Sequence, residues 1–353
     1  MWNYIFENGV IINFAYTSFK WTNNAKYNAG VTCAILGLSS SSENAKKFLY
    51  GKDGVKEVGN ITPYLTAAKT NIINKCSSSI SGLVPMSFGS MPNDGGALLL
   101  DAHEKEELLD EDERSSDFIH PLLGAQEFIR GEKRFCLWIT GDTFEKAKAI
   151  EPINRRIEKC KNIRQESKRS STRKLAEKPY SFGEVRYEDT ECIIIPRVSS
   201  ERRKYIPMGF LDKGTVISDS AFAIYDASLW LFGILTSEMH MTWVRTVGGR
   251  LKTDYRYSAG LCYNTFPFPP ISAAKKSEIE EAATDILLIR NEYPEKTLAD
   301  LYDPDKMPTD LREAHERLDR IVESCYPGAP FASDEARLEC LFKMYEKMTS
   351  DKK

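Results

Sequence analysis

Cations and a carboxylate alternate along one short stretch of the sequence, GGRLKTDYRYS, residues 248–258. Arg250, Lys252, Asp254 and Arg256 occupy every second position. In an extended strand such residues share one face, because successive side chains point to opposite sides. Lysine and arginine donate to guanine O6 and N7, and aspartate accepts from cytosine N4. The pattern is compatible with a base-reading surface and equally with a strand edge that only faces solvent.

A second polar stretch, PRVSSERRKY, interleaves cations with hydroxyl groups. Its candidate phosphate ligands are Arg197, Ser199, Ser200, Arg202, Arg203 and Lys204. Cationic and hydroxyl side chains supply many of the contacts that proteins make to DNA phosphates. An exposed turn has the same composition, so the residues alone leave both interpretations open.

Two aromatic side chains stand out in the polar stretch TSFKWTNNAKYN. Phe19 and Trp21 are its only large apolar residues besides a tyrosine. Such a pair either folds back on the core or forms a platform on which an unpaired base stacks. Both interpretations remain open at this point.

The motifs of several enzyme classes do not occur. The sequence has no GxSxG elbow, P-loop, HExxH motif or GxGxxG turn after a strand. Its eight cysteines form no CxxC pair and have no zinc-ligand spacing. We expect free thiols in a reducing cytoplasm and no metal site.

Length and charge limit the remaining possibilities. The 353 residues predict two or three domains, and no apolar run is long enough to span a membrane. The net charge is −3, yet one region is locally basic. Its cations are Lys146, Lys148, Arg155, Arg156, Lys159, Lys161, Arg164, Lys168, Arg169, Arg173 and Lys174. A DNA-binding surface would therefore need its cations clustered on one face.

Apolar periodicity and turn residues predict the elements that carry these side chains. The predictions are a strand–loop–strand unit over residues 9–38, a charged helix over 104–117, a hairpin over 127–140, helices over 143–175, strands over 191–226, one helix over 227–247 and a helical tail over 273–349. We expect the hairpin to turn at Arg130–Lys133. Asp226 is the predicted N-cap of the 227–247 helix, and Gly248-Gly249 the predicted C-cap.

Six stretches together resemble the MmeI-type restriction–modification proteins. They are FAYTSFKWTNNAKYNAGVTCAILG, GALLLDAHEKEELL, FIHPLLGAQEFIRGEKRFCLWI, IPRVSSERRKYIPMGFL, SDSAFAIYDASLWLFGILTSEMHMTWVRTVGGRLKTDYRYS and YNTFPFP. Those proteins are single chains with a nuclease, an S-adenosylmethionine-dependent adenine-N6 DNA methyltransferase, a target recognition domain and a helical C-terminal region. The resemblance covers essentially the whole sequence.

The resemblance implies a mixed α/β fold in three parts. Residues 1–45 would be the terminal β-hairpin of a methyltransferase sheet, 46–270 a target recognition domain, and 271–353 a helical C-terminal region. The family's glycine-rich cofactor turn and its Asn-Pro-Pro-aromatic motif do not occur, and the sequence contains no Asn-Pro pair. We therefore expect the nuclease and the catalytic and cofactor segments to be missing from this chain. It would bind no S-adenosylmethionine itself and would not be catalytically competent alone.

The resemblance also implies roles for individual residues. Phe19, with Trp21 as the alternate, would stack on the extruded base. Lys252 and Asp254 would read a G·C pair with the guanine facing the lysine, and Arg256 would read a purine in a neighbouring pair, with Arg250 beside them. The implied partner is double-stranded DNA. The alternative is a specificity or interaction subunit that completes a methyltransferase through a partner chain.

Overall fold

The computed structural model describes residues 2–21, 32–40, 46–51, 54–67 and 72–350. Its strands are β1 Val10–Lys20, β2 Thr32–Ser40, β3 Lys47–Gly51, β4 Gly54–Val58, β5 Ser87–Phe88, β6 Leu99–Leu100, β7 Ile119–Leu123, β8 Phe135–Leu137, β9 Cys192–Pro196, β10 Val198–Ser199, β11 Gly209–Leu211, β12 Val216–Ile217, β13 Ala221–Tyr225, β14 Gly249–Leu251 and β15 Asp254–Arg256. Its α-helices are α1 Trp2–Glu7, α2 Ala102–Glu111, α3 Ala125–Arg130, α4 Phe144–Lys148, α5 Glu151–Gln165, α6 Ser170–Lys174, α7 Leu229–Leu235, α8 Glu238–Val247, α9 Ala273–Asn291, α10 Leu298–Leu301, α11 Thr309–Glu323 and α12 Asp334–Ser350. Short 3₁₀ turns follow α2 and α6, and a π-helical turn spans Ala259–Tyr263.

The N-terminal strands form a sheet of order β2-β1-β3-β4. β1 and β2 pair antiparallel, as the strand–loop–strand pattern predicted, and β3 lies parallel to β1. Ile12 and Ala15 of β1 are buried against Ile61 on one side of the sheet. The sheet continues to Val58, past the boundary that we expected at residue 45. Residues 22–31, where the sequence predicted the connecting loop, and residues 41–45 lie outside the described residues.

The opposite face of this sheet carries aromatic side chains that solvent reaches. Tyr16 stacks on Tyr50 with ring centroids 4.3 Å apart. Ile35 opposes Tyr16 across the β1–β2 pair and is 48% exposed. Folded proteins rarely leave contiguous apolar patches in contact with solvent. This exposed aromatic face is therefore a candidate binding surface.

The central region contains two further four-stranded sheets, of order β11-β9-β13-β5 and β12-β7-β8-β6. The runs CIIIP and AFAIY form β9 and β13, and every residue in them is buried. Continuous runs of branched and aromatic residues favour strands buried on both faces. These two predicted strands are confirmed, as are the helices in 104–117 and 143–175.

The hairpin predicted over residues 127–140 is half wrong. Its first half is helix α3, and only the second half, β8, is a strand. Gly131 ends α3 with φ of 68°, a left-handed conformation that glycine adopts easily. A hairpin turn often requires the same conformation, so the glycine alone does not separate the two structures.

The single helix predicted over residues 227–247 is two helices, α7 and α8. The helix is interrupted at Thr236 and Ser237, whose hydroxyls donate to main-chain carbonyls of α7. Ser237 also caps α8 by accepting from the amide of His240. Ser228, rather than Asp226, occupies the N-cap position of α7. Hydroxyl groups that compete for main-chain hydrogen bonds favour helix ends over helix interiors.

Helices α9, α11 and α12 confirm the predicted helical tail, and they pack on α7 and α8 around one large apolar core. Trp243 is fully buried there, and its Nε1 donates to Thr265 Oγ1 at 3.1 Å. The core continues from the central region into the C-terminal helices. In the described ranges no helix is both long and apolar enough to cross a membrane. All eight cysteines are free, as expected.

Candidate nucleic-acid interface

The stretch GGRLKTDYRYS forms a tight hairpin rather than one extended segment. Strands β14 and β15 pair antiparallel, with Arg250 opposite Tyr255 and Leu251 opposite Asp254. Lys252 lies in the two-residue turn with φ of 57°. Cross-strand partners share a face, so Arg250 lies on the Tyr255 face while Asp254 and Arg256 lie on the other. The prediction that all four polar residues share one face is wrong, because the turn reverses the alternation.

The second polar stretch lies beside this hairpin. Strand β10 pairs with β15, with Val198 opposite Arg256 and Ser199 opposite Tyr255. The three-stranded sheet therefore has the order β10-β15-β14. Sequence patterns gave no reason to place these two stretches together, since about fifty residues separate them.

One face of the hairpin looks into a cleft of about 1240 Å³. On its far side stand the aromatic residues of the N-terminal sheet, Tyr16, Phe19 and Tyr50. Arg250, Lys252 and Tyr255 line the near side, together with Glu201 and Arg202. The structure thus brings Phe19 into the same cleft as two of the predicted base-reading residues. Trp21 is 52% exposed and does not line this cleft.

The other face of the hairpin borders a second cleft of about 640 Å³. Arg256 and Leu251 line it from the hairpin, and Arg197 joins them from the end of β9. Polar side chains that the sequence did not single out complete the lining: Gln126, Glu127, Arg134, Ser218, Asp219 and Ser220. For Ser218, Asp219 and Ser220 the sequence offered one indication, because they form a polar turn between the apolar strands β12 and β13.

Two of the predicted base-reading residues are held by their neighbours. Asp254 Oδ1 accepts from the amide of Glu201 at 3.3 Å, and Asp254 is half-buried. The Arg250 guanidinium lies 4.2 Å from the Tyr255 ring centroid and donates to Thr253 O at 3.3 Å. Arg250 therefore braces the hairpin, whereas Lys252 at the tip is exposed.

The hairpin connects to α8 through a close backbone contact. Gly248 ends α8 with φ of −68° and ψ of 151°, so it is extended rather than left-handed, contrary to the predicted cap. A Cβ atom at Gly248 would lie 2.4 Å from Val244 O, whereas one at Gly249 would meet nothing closer than 3.8 Å. Glycine is required at 248 for close approach and not for an unusual φ.

The loop 199–204 carries most of the predicted phosphate ligands, and its side chains form hydrogen bonds and ion pairs with other residues of the protein. Ser199 is only 2% exposed, and its hydroxyl accepts from Arg203 at 3.5 Å. Burial lowers the pKa of Arg203 below its usual range. Arg202 forms an ion pair with Asp305 in the C-terminal region. The position of Ser199 therefore argues against a phosphate contact by its hydroxyl.

The remaining candidates of this loop are also engaged. Lys204 Nζ lies 3.9 Å from Asp319 of α11, which also accepts from Tyr205 Oη at 2.6 Å. Arg197 donates to Asp219 O, and its guanidinium lies 5.0 Å from the Phe88 ring centroid. The hydroxyl of Ser200 accepts from the amide of Arg202 and shapes the turn. The phosphate role of these residues remains a prediction.

Family models for three successive regions match this chain. The DNA-methyltransferase domain of MmeI matches residues 1–51, its target recognition domain 67–270, and its C-terminal domain 271–352. The recognition-domain match alone covers more than half of the chain. This chain belongs to the MmeI family. The resemblance and the mixed α/β fold class inferred from the sequence are thereby confirmed.

Two similar proteins show the extent of the similarity. The chain is 46% identical over 349 residues to DNA methyltransferase A of Bacillus subtilis (strain 168), a match over 99% of the chain and 40% of that protein. It superposes on the type IIL restriction–modification enzyme MmeI, solved in complex with DNA, with a TM-score of 0.91 and 37% identity. That match covers 99% of the chain and 47% of MmeI. The chain therefore spans less than half the length of either relative.

Proposed function

We propose that this chain recognises a specific sequence in double-stranded DNA as part of an S-adenosylmethionine-dependent adenine-N6 DNA methyltransferase. The observation that carries the proposal is the β14–β15 hairpin, which stands between two clefts with cationic side chains in their linings and presents Lys252 at its tip. A two-stranded ribbon fits the major groove of B-DNA, where base edges are distinguishable. The similarity to MmeI, which was solved with DNA, supports this assignment.

The hairpin faces suggest separate readout roles. Lys252 donates to guanine O6 and N7, while Asp254, oriented by the Glu201 amide, accepts from cytosine N4 of the same pair. Arg256 and Arg197 reach a neighbouring pair from the second cleft. Arg250 acts indirectly, because its stacking on Tyr255 holds the hairpin in shape. Phe19, across the first cleft, stacks on the extruded base.

The chain's own residues do not fit the methyl donor. The sequence has no glycine-rich turn after a first strand, and no Asn-Pro motif to hold an adenine amino group. We therefore assign cofactor binding and methyl transfer to segments outside this sequence, and we derive no catalytic step from this chain. Its own contribution is to bind DNA and to select the site.

The proposal predicts that Lys252→Ala and Asp254→Ala relax selectivity at one base pair of the bound site. The site would first be selected from random duplexes with the parent protein, and binding would then be measured on each single-base variant. Each substitution should remove about 1–3 kcal/mol of discrimination at the same pair, because either the lysine contact to guanine O6 and N7 or the aspartate contact to cytosine N4 is lost. Discrimination at the other positions should stay as in the parent.

Lys343→Ala is a matched control, since Lys343 is an exposed lysine paired with Glu339 on α12, within the C-terminal region. It should leave selectivity unchanged. If both hairpin variants select the same sequences as the parent at every position, the readout assignment is wrong. If the parent itself selects no sequence, the recognition function is wrong as well.

A second candidate function is favoured by the outer edge of the N-terminal sheet. Among the described strands, none pairs with the outer edge of β2, and its Ile35 and Leu38 are 48% and 49% exposed. An unpaired apolar edge is a ready site for another strand. A separate chain that carries methyltransferase strands would complete the sheet there, which makes this protein a specificity subunit.

This second function predicts association with such a chain. Light scattering should show a heavier complex when a polypeptide carrying the methyltransferase core of the Bacillus relative is added. Ile35→Lys with Leu38→Lys should abolish the complex, because charges would be buried at the strand edge. The same substitutions should leave site selection by the hairpin intact. A parent protein that stays monomeric in the mixture excludes this function.

A further inference from the structure

The segment Ser167–Lys178, which contains α6, is a basic surface without balancing carboxylates. Its five exposed cations are Lys168, Arg169, Arg173, Lys174 and Lys178, and its one carboxylate is Glu177. Within the described part of the chain, none of these cations forms an ion pair. In contrast, Arg155, Arg156 and Lys161 of the preceding helix are all paired with glutamates. The positive charge of the segment is therefore available to a partner.

Hydroxyl groups are interleaved with these cations. The run SKRSSTRK offers the side chains of Ser167, Ser170, Ser171 and Thr172 between its lysines and arginines. Phosphate oxygens accept from both kinds of side chain. The same composition led us to predict phosphate contacts in the loop 199–204, where the structure engages Arg202, Arg203 and Lys204 internally. In the segment Ser167–Lys178 the exposed cationic and hydroxyl side chains outside such internal hydrogen bonds are Lys168, Arg169, Ser170, Ser171, Lys174 and Lys178.

A buried arginine fixes the position of this segment. Arg164 has no exposed surface and donates to Leu175 O at 3.1 Å, Lys178 O at 2.9 Å and Ser181 O at 2.8 Å. The same guanidinium donates to the carbonyls of Pro92 and Asn93, both at 3.0 Å. Burying a charged group is costly unless it is hydrogen-bonded, so this cross-link is a strong constraint.

The cross-link holds the main chain at Leu175 and Lys178 close to Pro92, a residue of the second cleft. Pro92 lines that cleft together with Arg197 and Arg256. The side chain of Thr172 also lies within hydrogen-bonding distance of Asn93 Nδ2, at 3.5 Å. A rod-shaped polyanion that occupies the cleft and extends past Pro92 would meet the exposed cations of residues 167–178.

We propose that the segment Ser167–Lys178 binds the sugar-phosphate backbone of duplex DNA that flanks the base pairs read at the hairpin. The proposal rests on the recognition function proposed above, because DNA in the second cleft sets the direction of the flanking duplex. Backbone contacts add affinity without sequence preference, and each one releases condensed counterions. The segment thus lengthens the footprint and leaves the selected sequence unchanged.

The test compares three variants in the whole chain. The first carries Lys168→Gln, Arg169→Gln and Lys174→Gln, and it leaves Arg173 in place because that side chain donates to main-chain carbonyls of the segment. The matched control carries Lys306→Gln, Lys343→Gln and Lys347→Gln, three exposed lysines of the C-terminal region. The third is Asp254→Ala, which removes the proposed base readout together with the hydrogen bond to the Glu201 amide, and it should keep the parent salt slope because it removes no phosphate contact. Thermal unfolding checks that all three remain folded.

Binding is measured over a range of salt concentrations on a duplex that extends well beyond the selected site. The slope of log K against log salt should fall by about 3 in magnitude for the first variant, because three phosphate contacts are lost. The control should keep the parent slope. On a duplex trimmed to the selected site, the first variant and the parent should bind alike, and both should select the same sequence.

Three results are decisive. A first variant with the parent slope on the long duplex overturns the flanking contact while leaving the recognition function in place. A first variant that binds the trimmed duplex more weakly than the parent does also overturns it, because the cations then act inside the site. A parent protein that binds no duplex at low salt overturns the flanking contact and the recognition function together.

Discussion

Replacing Arg164 with leucine is expected to lower the free energy of unfolding of the central region by about 4 kcal/mol. Its guanidinium serves five main-chain carbonyls from three parts of the chain: Pro92 and Asn93, Leu175 and Lys178, and Ser181. Leucine removes this donor from all five carbonyls. Those of Pro92, Leu175 and Lys178 still accept from main-chain amides, so the cost arises mainly at the carbonyls of Asn93 and Ser181. An unsatisfied buried polar group costs about 1–3 kcal/mol, and partial rearrangement keeps the total below the simple sum.

Two controls separate this effect from loss of charge. Arg164→Lys keeps the charge, but an ammonium group cannot reproduce the planar five-donor geometry, so most of the loss should remain. Arg155→Leu removes an exposed, ion-paired arginine from the same helix and should cost less than about 1 kcal/mol. Urea unfolding followed by tryptophan fluorescence gives the comparison. An Arg164→Leu midpoint close to that of Arg155→Leu would contradict the cross-link.

Stability is expected to fall by about 2–3 kcal/mol between about pH 7 and about pH 5. His240 and His315 are buried in the shared core, where they contact the hydroxyls of Tyr257 and Tyr302. Burial lowers the pKa of His240 to about 3 and lowers the pKa of His315 well below its usual value. Both side chains stay neutral in the folded protein, whereas the unfolded chain takes up protons below about pH 6.5. Each histidine therefore costs about 2 kcal/mol of stability at about pH 5.

Asp319 acts in the opposite direction. Burial raises the pKa of its carboxyl to about 6, above the unfolded value of 3.8. A folded group with a raised pKa contributes stability at pH below the unfolded pKa, and this contribution is lost as the pH rises through the folded value. When the pH falls from about 7 to about 5, the protonation of Asp319 adds about 1 kcal/mol to the free energy of unfolding. This gain is smaller than the loss from the two histidines.

The opposite signs provide the test. His240→Gln and His315→Gln should each reduce the loss of stability on acidification by about 2 kcal/mol, because glutamine does not titrate. Asp319→Asn should make the loss steeper. The measurement is the urea unfolding free energy of each variant at the two pH values. A histidine variant with the parent pH dependence would show that the corresponding ring is not held neutral.

Some features of the site were predictable because they depend only on residue type or on residues adjacent in the sequence. The hydrogen-bonding chemistry of Lys252 and Asp254 follows from their types, and the family resemblance followed from long stretches in order. The alternation in GGRLKTDYRYS was misread, since a two-residue turn at Lys252 leaves no break in the letter pattern while it reverses the side-chain faces. Gly131 was misread for a related reason, because a helix cap and a hairpin turn both use a left-handed glycine.

The sequence by itself determined the buried strands β9 and β13, the helical tail and the family. Continuous apolar runs and helical periodicity are local properties, and tertiary contacts reinforced them here. Only the tertiary structure decided which polar residues meet. It placed Phe19 across a cleft from Lys252, engaged Arg202 and Lys204 internally, and left the cations of Ser167–Lys178 exposed. Each of these outcomes depends on pairings between residues far apart in the chain, whose energies no local pattern encodes.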